Sequence, residues 1–136
     1  VEKCALDVLL INDDPVVCED LAFLLPAHIM LRFASGSEEA ARILKAGPSP
    51  DAIILDLCLP SPSGDVREEE GFNLLRLLKY EIAVNVPVIV LSALPLRQAE
   101  ATCLGLGACL YLEKPCRVAD LVWILSAVTK KRGRKS

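Results

Sequence analysis

Ala52-Ile53-Ile54-Leu55-Asp56 decides the fold: four apolar residues in a row, closed by a carboxylate. So short and uninterrupted an apolar run suits a strand covered on both faces, as in a parallel sheet between helices. The pattern recurs. Val8-Leu9-Leu10-Ile11 runs into Asn12-Asp13-Asp14, Val88-Ile89-Val90-Leu91 into Ser92, and Leu110-Tyr111-Leu112 through Glu113 into Lys114-Pro115. Strands are predicted at 6–11, 29–34, 51–55, 87–91 and 108–112. The second, around the mixed run His28 to Phe33, suits a sheet edge.

Helices fill the gaps at 15–25, 37–46, 69–82, 95–105 and 116–130. Pro15 suits the first turn of the first. Ser35 with Glu38 fits a capping box for the second, and Gly47-Pro48 stops it. Five strand–helix units in 136 residues predict an α/β fold, one doubly wound parallel sheet. One stretch is irregular. Pro60-Ser61-Pro62-Ser63-Gly64-Asp65 has loop composition, and the acidic segment to Glu70 prolongs it.

The composition, 53% hydrophobic and 4% aromatic, predicts an aliphatic core in one domain. The net charge of −3 hides an asymmetry. Lys130, Lys131, Arg132, Arg134 and Lys135 crowd the last seven residues, which leaves ten bases against eighteen acids elsewhere. So acidic a body does not hold nucleic acid by its own field. The expected organisation is a domain over 1–129 and a basic tail or linker over 130–136. Six cysteines without a C-x-x-C pair, and the single histidine His28, argue against zinc and suit the reduced thiols of a cytoplasmic protein. No apolar run approaches the roughly 18–20 residues of a membrane span.

In an open parallel sheet, ligands gather at the carboxyl ends of the strands. There the four runs would collect Asp13, Asp56, Ser92 and Lys114. An aspartate at a central strand end can attack phosphorus and form an acyl phosphate. That chemistry needs a cation over the phosphoryl oxygens and fixed donors to hold them. Asp13 and Asp56 can share one Mg²⁺, Lys114 can pair with a phosphoryl oxygen, and Ser92 can donate to another. Singly, each residue also suits a turn, a helix cap or a solvated charge. The joint pattern carries the reading.

These residues resemble the receiver domain of two-component response regulators. The resemblance covers residues 6–129 and rests on Leu9-Leu10-Ile11-Asn12-Asp13-Asp14-Pro15, Ile54-Leu55-Asp56-Leu57-Cys58-Leu59-Pro60, Val90-Leu91-Ser92-Ala93 and the run from Gly107 to Pro115. It implies a flavodoxin-like (βα)5 three-layer sandwich with strand order 2-1-3-4-5. It implies that Asp56 is the phosphoacceptor, charged from a sensor histidine kinase or phosphotransfer protein. Asp13, Asp56 and the backbone carbonyl of Cys58 would hold Mg²⁺, and Lys114 would bind the phosphoryl group. Ser92 and Tyr111 would form the switch, and Lys114-Pro115 would be a cis peptide. The domain would be a regulatory phosphoacceptor that assists its own phosphotransfer without multiple turnover. Its changed surface would be read by an output domain or partner, or by a second copy through the fourth and fifth helices.

The chain departs from the family pattern in three places. The acid pair falls on Asn12 and Asp13 with Pro15 as anchor; a one-residue slip makes it Asp13 and Asp14. About seven residues within 61–70 are extra. Cys109-Leu110 stands where an acid pair often precedes the switch tyrosine, against the subclass that dimerises through charged pairs. A haloacid-dehalogenase-type phosphatase would need a second aspartate at Cys58, and a flavodoxin would need a hydroxyl-rich phosphate loop at 12–14. A receiver fold that only binds a partner, never phosphorylated, is the alternative function.

Overall fold

Side chains alternate across a strand, so every strand of a doubly covered sheet feeds two cores. In β1 (Leu6–Ile11), Leu9 and Ile11 enter one core while Val8 and Leu10 enter the other. In β3 (Ala52–Asp56), Ile53 and Leu55 oppose Ala52 and Ile54. Helices α1 (Pro15–Leu24), α2 (Ser37–Ala46), α3 (Glu68–Leu77), α4 (Leu96–Gly105) and α5 (Val118–Gly133) close these cores. Leu44, Leu74, Leu75 and Cys103 bring α2, α3 and α4 to the first, and Cys18, Leu121 and Leu125 bring α1 and α5 to the second. Leu75 is fully buried; truncating such a side chain to alanine costs about 2–5 kcal/mol.

The computed structural model describes residues 5–57, 59–60, 66–83 and 85–133. Besides β1 and β3, its strands are β2 (Ile29–Ala34), β4 (Leu59–Pro60), β5 (Val66–Arg67), β6 (Val88–Ser92) and β7 (Leu110–Glu113). The main sheet is parallel throughout, in the order β2-β1-β3-β6-β7. Without the two-residue strands, this is the order 2-1-3-4-5 of a doubly wound sandwich, with β2 at an edge as its mixed composition requires.

At the amino end of the sheet, polar groups tie three segments together. The Asp7 carboxylate accepts from Nε and a terminal nitrogen of Arg32, each at 3.0 Å, while the Asp7 N–H donates to the Asp51 carboxylate at 2.9 Å. Arg32 also donates to the Pro48 carbonyl at 2.9 Å. The fork geometry makes this a stronger pairing than a single-point surface ion pair.

Several details differ from the sequence expectation. The Ser35 partner is Glu39, not Glu38: Ser35 N and Oγ donate to the Glu39 carboxylate at 2.8 and 2.9 Å. The helix takes Gly36 as its N-cap, so Glu39 is the third helical residue, the position a capping box uses. These bonds hold the Glu39 carboxyl below its ordinary pKa. The third predicted helix changes winding: α3 ends at Leu77 and a π-helical turn, Leu78–Ile82, follows, with Ala83 N–H donating to the Leu78 carbonyl. Within the irregular connection, β4 and β5 pair antiparallel. α5 runs to Gly133, so the boundary expected between 129 and 130 falls inside a helix. Among the described residues no helix is long and apolar enough to cross a membrane.

Candidate functional site

The register places the strand ends side by side. Ile11 pairs with Leu55, Asp56 with Leu91, and Ser92 with Glu113. Asn12, Asp56 and Ser92 are the buried polar residues among those described, and all lie at this carboxyl edge. Burying a polar group costs free energy unless it is bonded, so three together make this edge the candidate site.

Asp56 closes β3 and is only 7% exposed. Lys114 follows β7 and brings its Nζ to 3.4 Å from the Asp56 carboxylate. The Lys114 N–H donates to the Ser92 carbonyl at 2.7 Å, which ties the lysine's backbone to β6. The Lys114–Pro115 peptide is cis, as is Gly47–Pro48.

Asn12, Asp13 and Asp14 separate into different tasks. Asn12 is buried and its Oδ1 accepts from the Asp14 N–H at 2.9 Å. Asp14 is the N-cap of α1, accepting from the Val16 N–H at 3.0 Å. Asp13 between them is exposed and lines a groove of about 520 Å³ with Pro15, Cys18, Phe33 and Glu39. The Cys18 Sγ, on the buried face of α1, donates weakly to the Asn12 carbonyl at 3.8 Å. Burial and then the charges of Asp14, Asp13 and Glu19 push this thiol's pKa up.

Ser92 and Tyr111 meet at one residue. Leu94 donates its N–H to Ser92 Oγ at 3.0 Å, and its carbonyl accepts from the Tyr111 hydroxyl at 2.7 Å. The Tyr111 ring is buried in the core under α3 and α4. The expected ligand carbonyl of Cys58 lies outside the described residues, as do residues 61–65 of the insert.

Sequence reasoning did not anticipate two features. A Cβ on Gly71 would collide with the carbonyl oxygen of Leu57, the residue after Asp56. Helix α3 therefore rests directly on the backbone that carries the candidate phosphoacceptor, and only glycine allows that approach. The second is Glu113, whose carboxylate accepts from the Leu96 N–H at 3.1 Å. Its signal was the absence of a capping side chain or acid at the start of α4.

As a site for a divalent cation, two carboxylates on adjacent strands with a buried amide oxygen fit a hard ion that keeps several waters. Among the described residues no cluster of three or more acidic, histidine or cysteine side chains forms, so backbone and water would complete such a shell.

The profile of the response regulator receiver domain matches residues 8–126, and the chain belongs to that family. It is 29% identical over 127 residues to the phosphate regulon transcriptional regulatory protein PhoB of Pseudomonas aeruginosa, covering 93% of this chain and 52% of that one. The chain spans about half the length of the curated relatives it matches. Among solved structures, the receiver domain of the Francisella response regulator 1452 superposes with a TM-score of 0.80 at 26% identity, over 93% of this chain and 98% of the other. The receiver domain of sensor histidine kinase PA1611 from Pseudomonas aeruginosa PAO1, described with a magnesium ion coordinated in its active-site cleft, gives 0.74 at 27%, over 93% and 99%. The molecule is thus a receiver domain of the two-component kind, whose general function is phosphorylation-dependent switching.

Proposed function

We propose that this domain accepts a phosphoryl group on Asp56 from a phosphohistidine and uses it to change the surface around α4 and β7. The 3.4 Å pairing of Lys114 with the buried Asp56 is the observation that carries this reading. A carboxylate oxygen of Asp56 attacks phosphorus, the P–N bond to the imidazole breaks, and the imidazole leaves with its electron pair and takes up a proton. The product is an acyl phosphate. Lys114, already paired with the carboxylate, meets the charge on the transferred group. Ser92 accepts from Leu94 and keeps its hydroxyl hydrogen to donate to a phosphoryl oxygen.

Asp13, Asp56 and the backbone carbonyl of Cys58 would hold Mg²⁺. When bound, that ion neutralises charge on the phosphoryl oxygens. Asp14 is bound up in capping α1, which favours Asp13 over Asp14 as the second acid.

The phosphodonor, a sensor histidine kinase or phosphotransfer protein, meets the groove beside Asp13 and the outer face of α1, where Val16 and Phe23 are exposed. The output partner reads α4 and α5. Trp123 stands 72% exposed there beside a groove of about 550 Å³ lined by Pro115, Cys116 and Arg117. An exposed aromatic of that size suits an apolar contact, with an output domain or a second copy. Both partners are those of a cytoplasmic signalling protein.

Intact mass tests the reading. With Mg²⁺ and a small phosphodonor, wild type gains one phosphoryl group and Asp56→Asn gains none. Equal labelling of both would remove Asp56 from the chemistry. No labelling of wild type would favour a receiver fold that only binds a partner.

A further inference from the structure

Helix α4 begins at a residue that cannot cap it. Pro95 holds the N-cap position, its side chain makes no capping bond, and the first turn carries no acid. The first amides of a helix need acceptors, and a carboxylate there also meets the positive end of the helix dipole. The acceptor comes from another element. Leu96 donates to Oε1 of Glu113, seventeen residues along the chain.

Glu113 is unusually well placed to matter. It closes β7 immediately before Lys114 and lies in register with Ser92. Strand alternation puts Tyr111 and Glu113 on one side of β7, and both reach the connection from β6 to α4. Tyr111 holds the Leu94 carbonyl and Glu113 holds the Leu96 amide. Lys114, by contrast, reaches Asp56. The end of β7 therefore grips the connection with one pair of side chains and the candidate phosphoacceptor with the next.

We propose that Glu113 is a positioning residue for phosphotransfer: its carboxylate latches the start of α4 onto the end of β7, and so holds Ser92 and Tyr111 in the arrangement the phosphorylated state favours. This rests on the phosphoacceptor reading above. With the latch gone, α4 enters unpinned, and the population with Tyr111 seated under Leu94 falls. Reaction with a phosphodonor falls by the fraction lost from that population.

The test uses Glu113→Ala, which removes the acceptor, Glu113→Asp, which is one methylene too short, and Glu113→Gln, which keeps an acceptor oxygen at the same reach. Two readouts are taken on each folded protein: hydrogen exchange of the amides at 96–99, and the rate of mass labelling by a small phosphodonor with Mg²⁺. The expected result is roughly fivefold faster exchange in the Ala and Asp variants, as for loss of a typical N-cap, with labelling slowed by up to about the same factor. Gln should recover most of both. Unchanged exchange in Glu113→Ala would overturn the latch. Faster exchange with labelling at the wild-type rate would reduce Glu113 to an ordinary cap and overturn the positioning role. A wild type that does not label at all would sink the phosphoacceptor reading, and the positioning role with it, while faster exchange in the Ala variant would still establish the cap.

Discussion

The hydroxyl of Tyr111 donates to the backbone carbonyl of Leu94 across 2.7 Å, with the tyrosine ring seated in the core below. Ser92 takes the N–H of the same residue. One residue of the β6–α4 connection is thus held at both backbone groups by the two side chains that the family resemblance assigns to the switch. Tyr111→Phe keeps the ring and deletes the donor. It should cost about 1 kcal/mol, read as a lower urea midpoint with an unchanged denaturant slope.

The two acids before α1 should separate by readout. Asp14→Ala removes the N-cap bond to Val16 and should cost about 1 kcal/mol while leaving most labelling intact. Asp13 is exposed, so Asp13→Ala should change stability by under about 0.5 kcal/mol yet abolish Mg²⁺-dependent labelling. The opposite pairing of effects would mean that the acid pair is set one residue later.

Gly71→Ala sets two effects of opposite sign against each other. Replacing a helical glycine by alanine ordinarily gains about 0.5–1 kcal/mol. Here the new methyl would meet the Leu57 backbone, which cannot rotate aside as a side chain can. Overpacking of this kind costs about 1–3 kcal/mol, so the clash should win. The displaced segment adjoins Asp56, so labelling should slow as well. A variant that melts higher than wild type and labels at the same rate would show that α3 has room to move away.

Alkali should weaken the fold through Cys103. Burial pushes this thiol from 9.0 up to about 11. Its contribution is complete below the unfolded value, and it is lost as pH rises toward the folded one, because the unfolded chain releases its proton first. The urea midpoint should therefore fall between about pH 9 and 11, and Cys103→Ala should flatten that fall. Alkylation at neutral pH should strike exposed Cys109 before buried Cys103.

Trp123→Ala should leave stability within about 0.5 kcal/mol, because the ring is mostly in solvent. Any loss should appear in association: sedimentation of the phosphorylated protein, alone or with its output partner, should shift toward the free form. A large drop in melting temperature would instead show that the ring supports the fold.

The main sheet was legible because a strand buried on both faces leaves an uninterrupted apolar run, and four such runs are hard to place otherwise. The candidate site was legible for a related reason. Asp56, Ser92 and Lys114 each terminate or follow such a run, so finding the strands located the polar residues. What the chain did not disclose is set by contacts distant in sequence. The Glu113 cap, the approach of Gly71 to Leu57 and the pairing of Leu59 with Arg67 depend on how elements meet. Local chemistry read without its helix boundary failed in a small way, since Glu38 and Glu39 are equally plausible partners for Ser35 until Gly36 is known to be the cap.

The Asp7–Arg32–Asp51 cluster gives the sheet a direction. One rim is bolted: β1, β2 and the segment entering β3 are riveted there by a forked ion pair and its backbone bonds. The opposite rim carries the proposed reactive groups on short strand ends and loops. On the proposed phosphoacceptor reading, a charge added at Asp56 would meet the less braced rim first, toward Leu94 and the foot of α4. The architecture is that of a vice clamped at one end, and a partner of the proposed switch would read it at the other.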